Sequence, residues 1–115
     1  MNIRVIKKVV SYLSIAAAIL PLQVFGATTN DVGLITEVYS ANGVMAIRIE
    51  NGFPNATLEH GCLTPVWAGN TDALGMSSEM KATILTARSL DQQVRVVTSG
   101  CTPAGWNRLV AIYII

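Results

Sequence analysis

Apolar and polar positions alternate in two runs on either side of an Asn-Gly step. In residues 32–39 (VGLITEVY), Leu34, Thr36 and Val38 fall on one face. In residues 44–50 (VMAIRIE), Met45, Ile47 and Ile49 face one way and Ala46, Arg48 and Glu50 the other. A period of two marks a strand with one buried and one wet face. Asn42-Gly43 between two such runs predicts a hairpin, because both residues tolerate the positive φ of a tight turn. Turn residues Asn51-Gly52-Phe53-Pro54-Asn55 end the second strand, and the segment to Gly61 reads as an exposed loop. Residues 62–67 (CLTPVW) read as a short third strand or edge segment, since Pro65 has no N–H for a central ladder. Residues 68–75 (AGNTDALG) read as a second loop.

The period then changes. Met76, Met80, Ile84 and Ala87 recur at helical spacing, with Leu85 and Leu90 widening the stripe. A helix is therefore expected from a cap at Ser77 or Ser78 to about Leu90, its stripe packed on the sheet. Glu79 near its start and Arg88 near its end suit its dipole. A fourth strand follows over residues 93–98 (QVRVVT), with Val94 and Val96 inward and Arg95 outward. After a loop at Thr102-Pro103-Ala104-Gly105, residues 108–115 (RLVAIYII) form a fifth. Both of its faces are apolar: Leu109, Ala111, Tyr113 and Ile115 on one, Val110, Ile112 and Ile114 on the other. Such a strand is either covered by the helix on its second face or supplies a subunit interface. The expected class is mainly β with one helix, in the order β-β-β-α-β-β.

The first part of the chain changes the reading of charge. Arg4, Lys7 and Lys8 precede an uncharged run over residues 9–20 (VVSYLSIAAAIL), and Pro21, Gly26 and Ala27 follow it. This is the layout of a secretory signal peptide over residues 1–26, with residues 27–115 as a single domain that is secreted or periplasmic. Cleavage after Gly26 leaves Val24 and Gly26 at the positions that must be slim, whereas cleavage after Ala27 would place Phe25 there. The apolar run is shorter than the ~20 residues of a spanning helix, so no stable membrane insertion is expected after cleavage. No cysteine stands at the cleavage point to carry a lipid. Without the signal, Arg48, Lys81, Arg88, Arg95 and Arg108 face seven acids. The domain is then slightly acidic and has no basic stripe, which argues against nucleic acid as a partner.

A domain this small has a marginal core, and its two cysteines, Cys62 and Cys101, are expected to form one disulfide in an oxidising compartment. In the chain-entropy account, closing that loop contributes about 4 kcal/mol. Metal binding is not expected, since His60 alone would have to complete a zinc set.

Three strands, a helix and two strands in this span follow the order of an OB-fold barrel. The hairpin VGLITEVYSANGVMAIRIENG, then Cys62, then MKATILTARSLDQQVRVVTSGC resembles the OB-fold binding subunits of pentameric bacterial toxins. The subtilase-cytotoxin type and related small secreted proteins come nearest in outline. The resemblance covers most of residues 27–115, as pattern. It implies a ring-forming subunit that binds a cell-surface glycan and carries no catalysis of its own.

Candidate ligand contacts fall in two places. The polar lead Thr28-Thr29-Asn30-Asp31 offers hydroxyl and amide groups, Thr29 and Asn30 above all, suited to sugar hydroxyls. The alternative is a frayed terminus. Trp67 and Trp106 each lie near a cysteine, so the bridge brings their neighbourhoods together. They form an aromatic platform for a sugar or other ring, or they pack beside the disulfide as core. The Asn55-Ala56-Thr57 glycosylation pattern is read as coincidental. Catalysis finds no support. His60 beside Glu59 is no triad, Ser77, Ser78 and Ser89 belong to the helix, and no glycine-rich phosphate loop is present. No cofactor is expected. The expected partners are a cell-surface glycan or a protein, and a homo-oligomer of the chain itself. The alternative is a monomeric envelope protein with a structural or inhibitory role.

Overall fold

The computed structural model describes residues 27–115, so the signal peptide expected over residues 1–26 lies outside the described residues. The strands are β1 (Thr28–Ala41), β2 (Val44–Ile49), β3 (Ala68–Thr71), β4 (Gln93–Cys101) and β5 (Asn107–Ile114). Helix α1 (Pro54–His60) lies between β2 and β3, and a 3-10 turn (Asp72–Leu74) and helix α2 (Ser78–Ser89) lie between β3 and β4. The ladders run β1-β2-β3-β5-β4 and return to β1 as a closed barrel.

Closure depends on the length of β1. Its first half pairs with β4, from Thr28↔Ser99 to Leu34↔Gln93, and its second half pairs with β2, from Ile35↔Ile49 to Ala41↔Val44. A register shift between Ile35 and Glu37 separates the two halves. An irregularity of this kind bends a strand and resets which side chains point inward. Gly33 and Ile35 point inward before it and Val38 packs on the core after it, while Thr36 is exposed and Leu34 half-buried. The expected Leu34–Thr36–Val38 face is corrected accordingly. In β2 the alternation is as read, with Met45, Ile47 and Ile49 all buried. The polar lead at Thr28 to Asp31 is neither frayed nor a loop but the first turn of the β1–β4 ladder.

Two further segments differ from their sequence reading. Residues 54–60 are helical, because Pro54 suits a first turn and Asp31 caps that turn from β1. The Asp31 carboxylate, almost fully buried, accepts the N–H groups of Asn55 (2.9 Å) and Ala56 (3.1 Å). Phe53, the local cap position, makes no side-chain bond to the helix, so nothing adjacent in sequence announces it. Gly61 ends it in the left-handed region at φ 61°. Residues 62–67 form no strand. The third strand is instead Ala68–Thr71, which the sequence presented as a loop. It passes so close to β2 that a Cβ on Gly69 would lie 2.5 Å from the Met45 carbonyl oxygen and 2.6 Å from the Ala46 Cβ. Gly69 is thus the residue that lets the strand approach.

Helix α2 starts as expected, with the Ser77 hydroxyl accepting the Met80 N–H. The Glu79 carboxyl is held below its ordinary range, first by its backbone N–H and then by the Ser78 hydroxyl. The small stabilisation this gives is present above the ordinary carboxylate range and is lost as pH falls through the lowered value. Ile84 and Ala87 are buried and Met80 partly so, but Leu85 and Leu90 are exposed, so the apolar stripe is narrower than read. The helix packs against β5 and β1. In β5 a second register shift, beside Val97 and Thr98, leaves Val110 without a ladder partner. Leu109 and Ile112 therefore both reach the core, and Tyr113 points outward. The core itself is one cluster of Ile, Met, Val, Leu, Phe and Ala from both helices and all five strands.

Cys62 and Cys101 are bridged, with their Cα atoms 5.7 Å apart. Replacing both with serine is expected to lower stability by about 2–4 kcal/mol, read from urea or guanidinium unfolding of the oxidised protein and the variant. Asp31→Ala, which leaves two N–H groups at the start of α1 without their acceptor, is expected to cost about 2 kcal/mol in the same assay.

Candidate functional site

The hairpin brings the end of β1 and the start of β2 to one end of the barrel, next to the end of β3 and the loop from β4 to β5. A cleft of about 370 Å³ opens there. Tyr39 and Val44 line it from the hairpin, and Asn70 and Thr71 from β3. Thr102, Pro103, Ala104 and Trp106 close it from the last loop. Beneath it, Tyr39, Ala46 and Gly69 are register partners across three strands on the outward face. Ala46 has no exposed surface although it lies between Tyr39 and Gly69 on the outward face. Small residues at 46 and 69 make the floor on which large rings sit.

The rings form a contiguous group. Tyr39 meets Trp67 and Trp106 edge-on at centroid distances of 6.3 and 5.9 Å, and the two tryptophans tilt against each other at 6.4 Å. Such edge-to-face spacing is favourable packing and leaves no gap between the rings. The Arg48 guanidinium lies 5.7 Å from the Trp67 ring centroid and pairs with Glu37 at 3.0 Å. Trp67 is therefore covered on both sides, and Trp106 and Tyr39 are the rings that line the opening.

The two tryptophan-bearing loops are tied to one another. The Thr64 N–H donates to the Gly105 carbonyl (2.9 Å) and the Asn107 N–H to the Trp67 carbonyl (3.1 Å). The Asn107 amide nitrogen, fully buried, donates to the carbonyls of Pro65 (2.9 Å) and Trp67 (3.2 Å). Its Oδ1 has no hydrogen-bond partner among the described residues. Exchanging the two amide atoms would set an oxygen against two carbonyl oxygens, so the orientation is determined. The last loop is further closed by Thr102, whose N–H donates to the Trp106 carbonyl (2.8 Å) and whose hydroxyl accepts the Trp106 N–H (3.2 Å).

Of the residues singled out from sequence, Trp106 lines the cleft and Trp67 stands behind it. Both are half-buried on the outward face, so neither is part of the core beside the disulfide. Thr29 and Asn30 lie in the first half of β1, paired with Thr98 and Val97 of β4. The Thr29 hydroxyl is bonded to the Thr98 hydroxyl (3.0 Å) and to His60 Nε2 (3.3 Å). The Asn30 carbonyl accepts the Asn55 amide (2.7 Å). The Thr29 hydroxyl and the Asn30 backbone carbonyl join β1 to its neighbours, the Asn30 residue is exposed, and neither residue lines the cleft. Tyr39, Asn70, Thr71 and Thr102 were not singled out. Only Tyr39 carried a signal, as an aromatic residue at a strand end just before the Asn-Gly turn.

His60 is the last residue of α1 and is half-buried, where a solvated loop position was expected. The Gly100 N–H donates to its Nδ1 (3.3 Å), which assigns the ring proton to Nε2, facing the hydroxyls of Thr29 and Thr98. The cluster contains no carboxylate, and its bonds fasten α1 to β1 and β4. Among the described residues no group of three or more His, Cys, Asp or Glu could hold a metal ion.

No protein-family model, no curated protein and no solved structure matches this chain. The cleft is thus read from its own chemistry: two open aromatic edges, an apolar rim and a few hydroxyl and amide groups. Asn107→Ala is expected to cost about 1–2 kcal/mol, since the Pro65 carbonyl loses its side-chain donor while the Trp67 carbonyl keeps the backbone N–H of residue 107. It should also weaken the near-ultraviolet circular dichroism of the tryptophans at temperatures where the far-ultraviolet signal is intact.

Proposed function

We propose that this chain is a non-catalytic exported binding protein of the OB type that holds a glycan in the cleft beside Tyr39 and Trp106. The observation that carries the reading is the aromatic cleft itself. Pyranose rings present C–H faces that stack on aromatic side chains and hydroxyls that need hydrogen-bonding groups at the edge. The cleft supplies both. Its position supports the barrel type as well. The strand order β1-β2-β3-β5-β4 is that of an OB barrel, whose ligands sit on the face of strands 2 and 3 between the first-hairpin and last-hairpin loops. Val44, Thr71 and the Thr102–Trp106 loop occupy those places.

A homo-oligomer is part of the proposal. On the outward face Val32 of β1 and Tyr113 of β5 flank the exposed Arg95 of β4, and Ile115 follows β5; the three apolar residues are each close to half exposed, a mixed surface that suits a subunit contact. Secretion or a periplasmic location accords with the disulfide, which persists in an oxidising compartment. A monomeric envelope protein with a structural role is the second reading, favoured by the covering of β5 by α2.

A glycan array followed by titration of the intrinsic tryptophan fluorescence tests the first reading. Binding should shift the emission, and Trp106→Ala should weaken it by at least about tenfold. Light scattering of the oxidised protein is expected to give a closed ring of about five protomers. A monomer that binds no glycan would transfer the argument to the second reading.

A further inference from the structure

The cleft's lining says which sugars it would hold. It contains no Asp, Glu, Lys, Arg or His. Two cations of the neighbouring elements are ion-paired, and a third is directed to a backbone carbonyl. Arg48 is paired with Glu37, and Lys81 is paired with Asp72 at 2.7 Å. Arg108, two residues past Trp106, donates its Nε–H to the Ser99 carbonyl (2.9 Å). A carboxylated or sulfated sugar would therefore lose water without gaining a cation or a charge-assisted bond.

The polar groups that remain are biased towards donation. Asn70 is spent: its amide nitrogen donates to the carbonyls of Leu74 and Leu109 (both 3.2 Å), and its Oδ1 accepts the Thr71 N–H (2.9 Å). The Thr71 hydroxyl accepts the Leu74 N–H (3.2 Å) and the Thr102 hydroxyl accepts the Trp106 N–H. Each of these hydroxyls keeps its proton to give, as does the Trp106 indole N–H. Facing them are the apolar walls of Val44, Pro103 and Ala104. Donors beside a small apolar wall match an acetamido group, whose carbonyl accepts and whose methyl needs a dry contact.

We infer that the ligand is an uncharged acetamido sugar, with its ring on Trp106 and Tyr39 and its N-acetyl group between the threonine hydroxyls and the Val44–Pro103 wall. The inference rests on the glycan reading above and narrows it to a class.

Titration with the methyl glycosides of N-acetylglucosamine and N-acetylgalactosamine, of glucose, and with N-acetylneuraminic acid at low salt tests it. The last sugar has the acetamido group and adds a carboxylate and a glycerol side chain, so it is titrated beside its methyl ester, which isolates the charge. The neutral acetamido sugars should bind, with N-acetylneuraminic acid at least about tenfold weaker. Methyl glucoside should also be weaker, and Tyr39→Ala, at an exposed position, should reduce binding without loss of fold. Ala104→Arg, which places a cation at the exposed rim, should narrow or reverse the preference against the acid. Equal or tighter binding of N-acetylneuraminic acid by the unaltered protein would overturn the uncharged class and leave the glycan reading standing. Equal binding of methyl glucoside would overturn the acetamido assignment alone. Silence towards all four sugars would overturn the glycan reading and this inference together.

Discussion

The fold depends on one strand serving two ladders. β1 is long enough to pair with β4 over its first half and with β2 over its second, and the irregularity at Ile35 and Glu37 turns it from one to the other. Without that turn the strands would remain an open sheet in the order β1-β2-β3-β5-β4, with β1 and β4 as exposed edges. With it, Gly33, Ile35 and Val38 stay inward through the corner, and side chains from all five strands meet in one cluster. The same strand carries Asp31 into the first turn of α1, so the barrel wall also caps a helix 24 residues later in the chain.

The two loops that bear tryptophan are unstructured by backbone pattern, yet they are the most densely tied part of the molecule. The Cys62–Cys101 bridge joins their starts, a Thr64–Gly105 bond joins their middles, and Asn107 ties their ends. A buried asparagine with an unpartnered oxygen costs free energy, and it persists here because two carbonyls accept from its amide nitrogen. These ties hold the backbone around Trp106, and preorganisation of that kind would favour the binding proposed for the cleft.

The polar chemistry of the molecule falls into two groups. In one, His60, Thr29 and Thr98 are bonded among themselves and to Gly100, and these bonds join α1 to the barrel. The other, beginning at Thr102, has aromatic edges, hydroxyls with protons to donate and no charge in the lining. If the cleft binds as proposed, such a lining discriminates by shape and by hydrogen bonds to neutral groups, through rejection as much as attraction.

Local patterns determined the hairpin, the Ser77 cap, the core of α2 and the inward residues of β2 and β4. In each, the deciding interaction lies within a few residues, where a period of two or 3.6 and a turn dipeptide suffice. The disulfide was legible for a different reason: two cysteines allow one pairing. What sequence left invisible lies where the deciding partner is distant. Helix α1 needs a carboxylate from β1, and β3 needs the close approach that only Gly69 permits against Met45 and Ala46. The inward phase of β1 and β5 is set by register shifts that no alternation announces. The cleft belongs to that second group. Tyr39, Thr71 and Trp106 stand on three different strands or loops, and only the pairing of β1 with β2, β2 with β3 and β3 with β5 puts their side chains around one space.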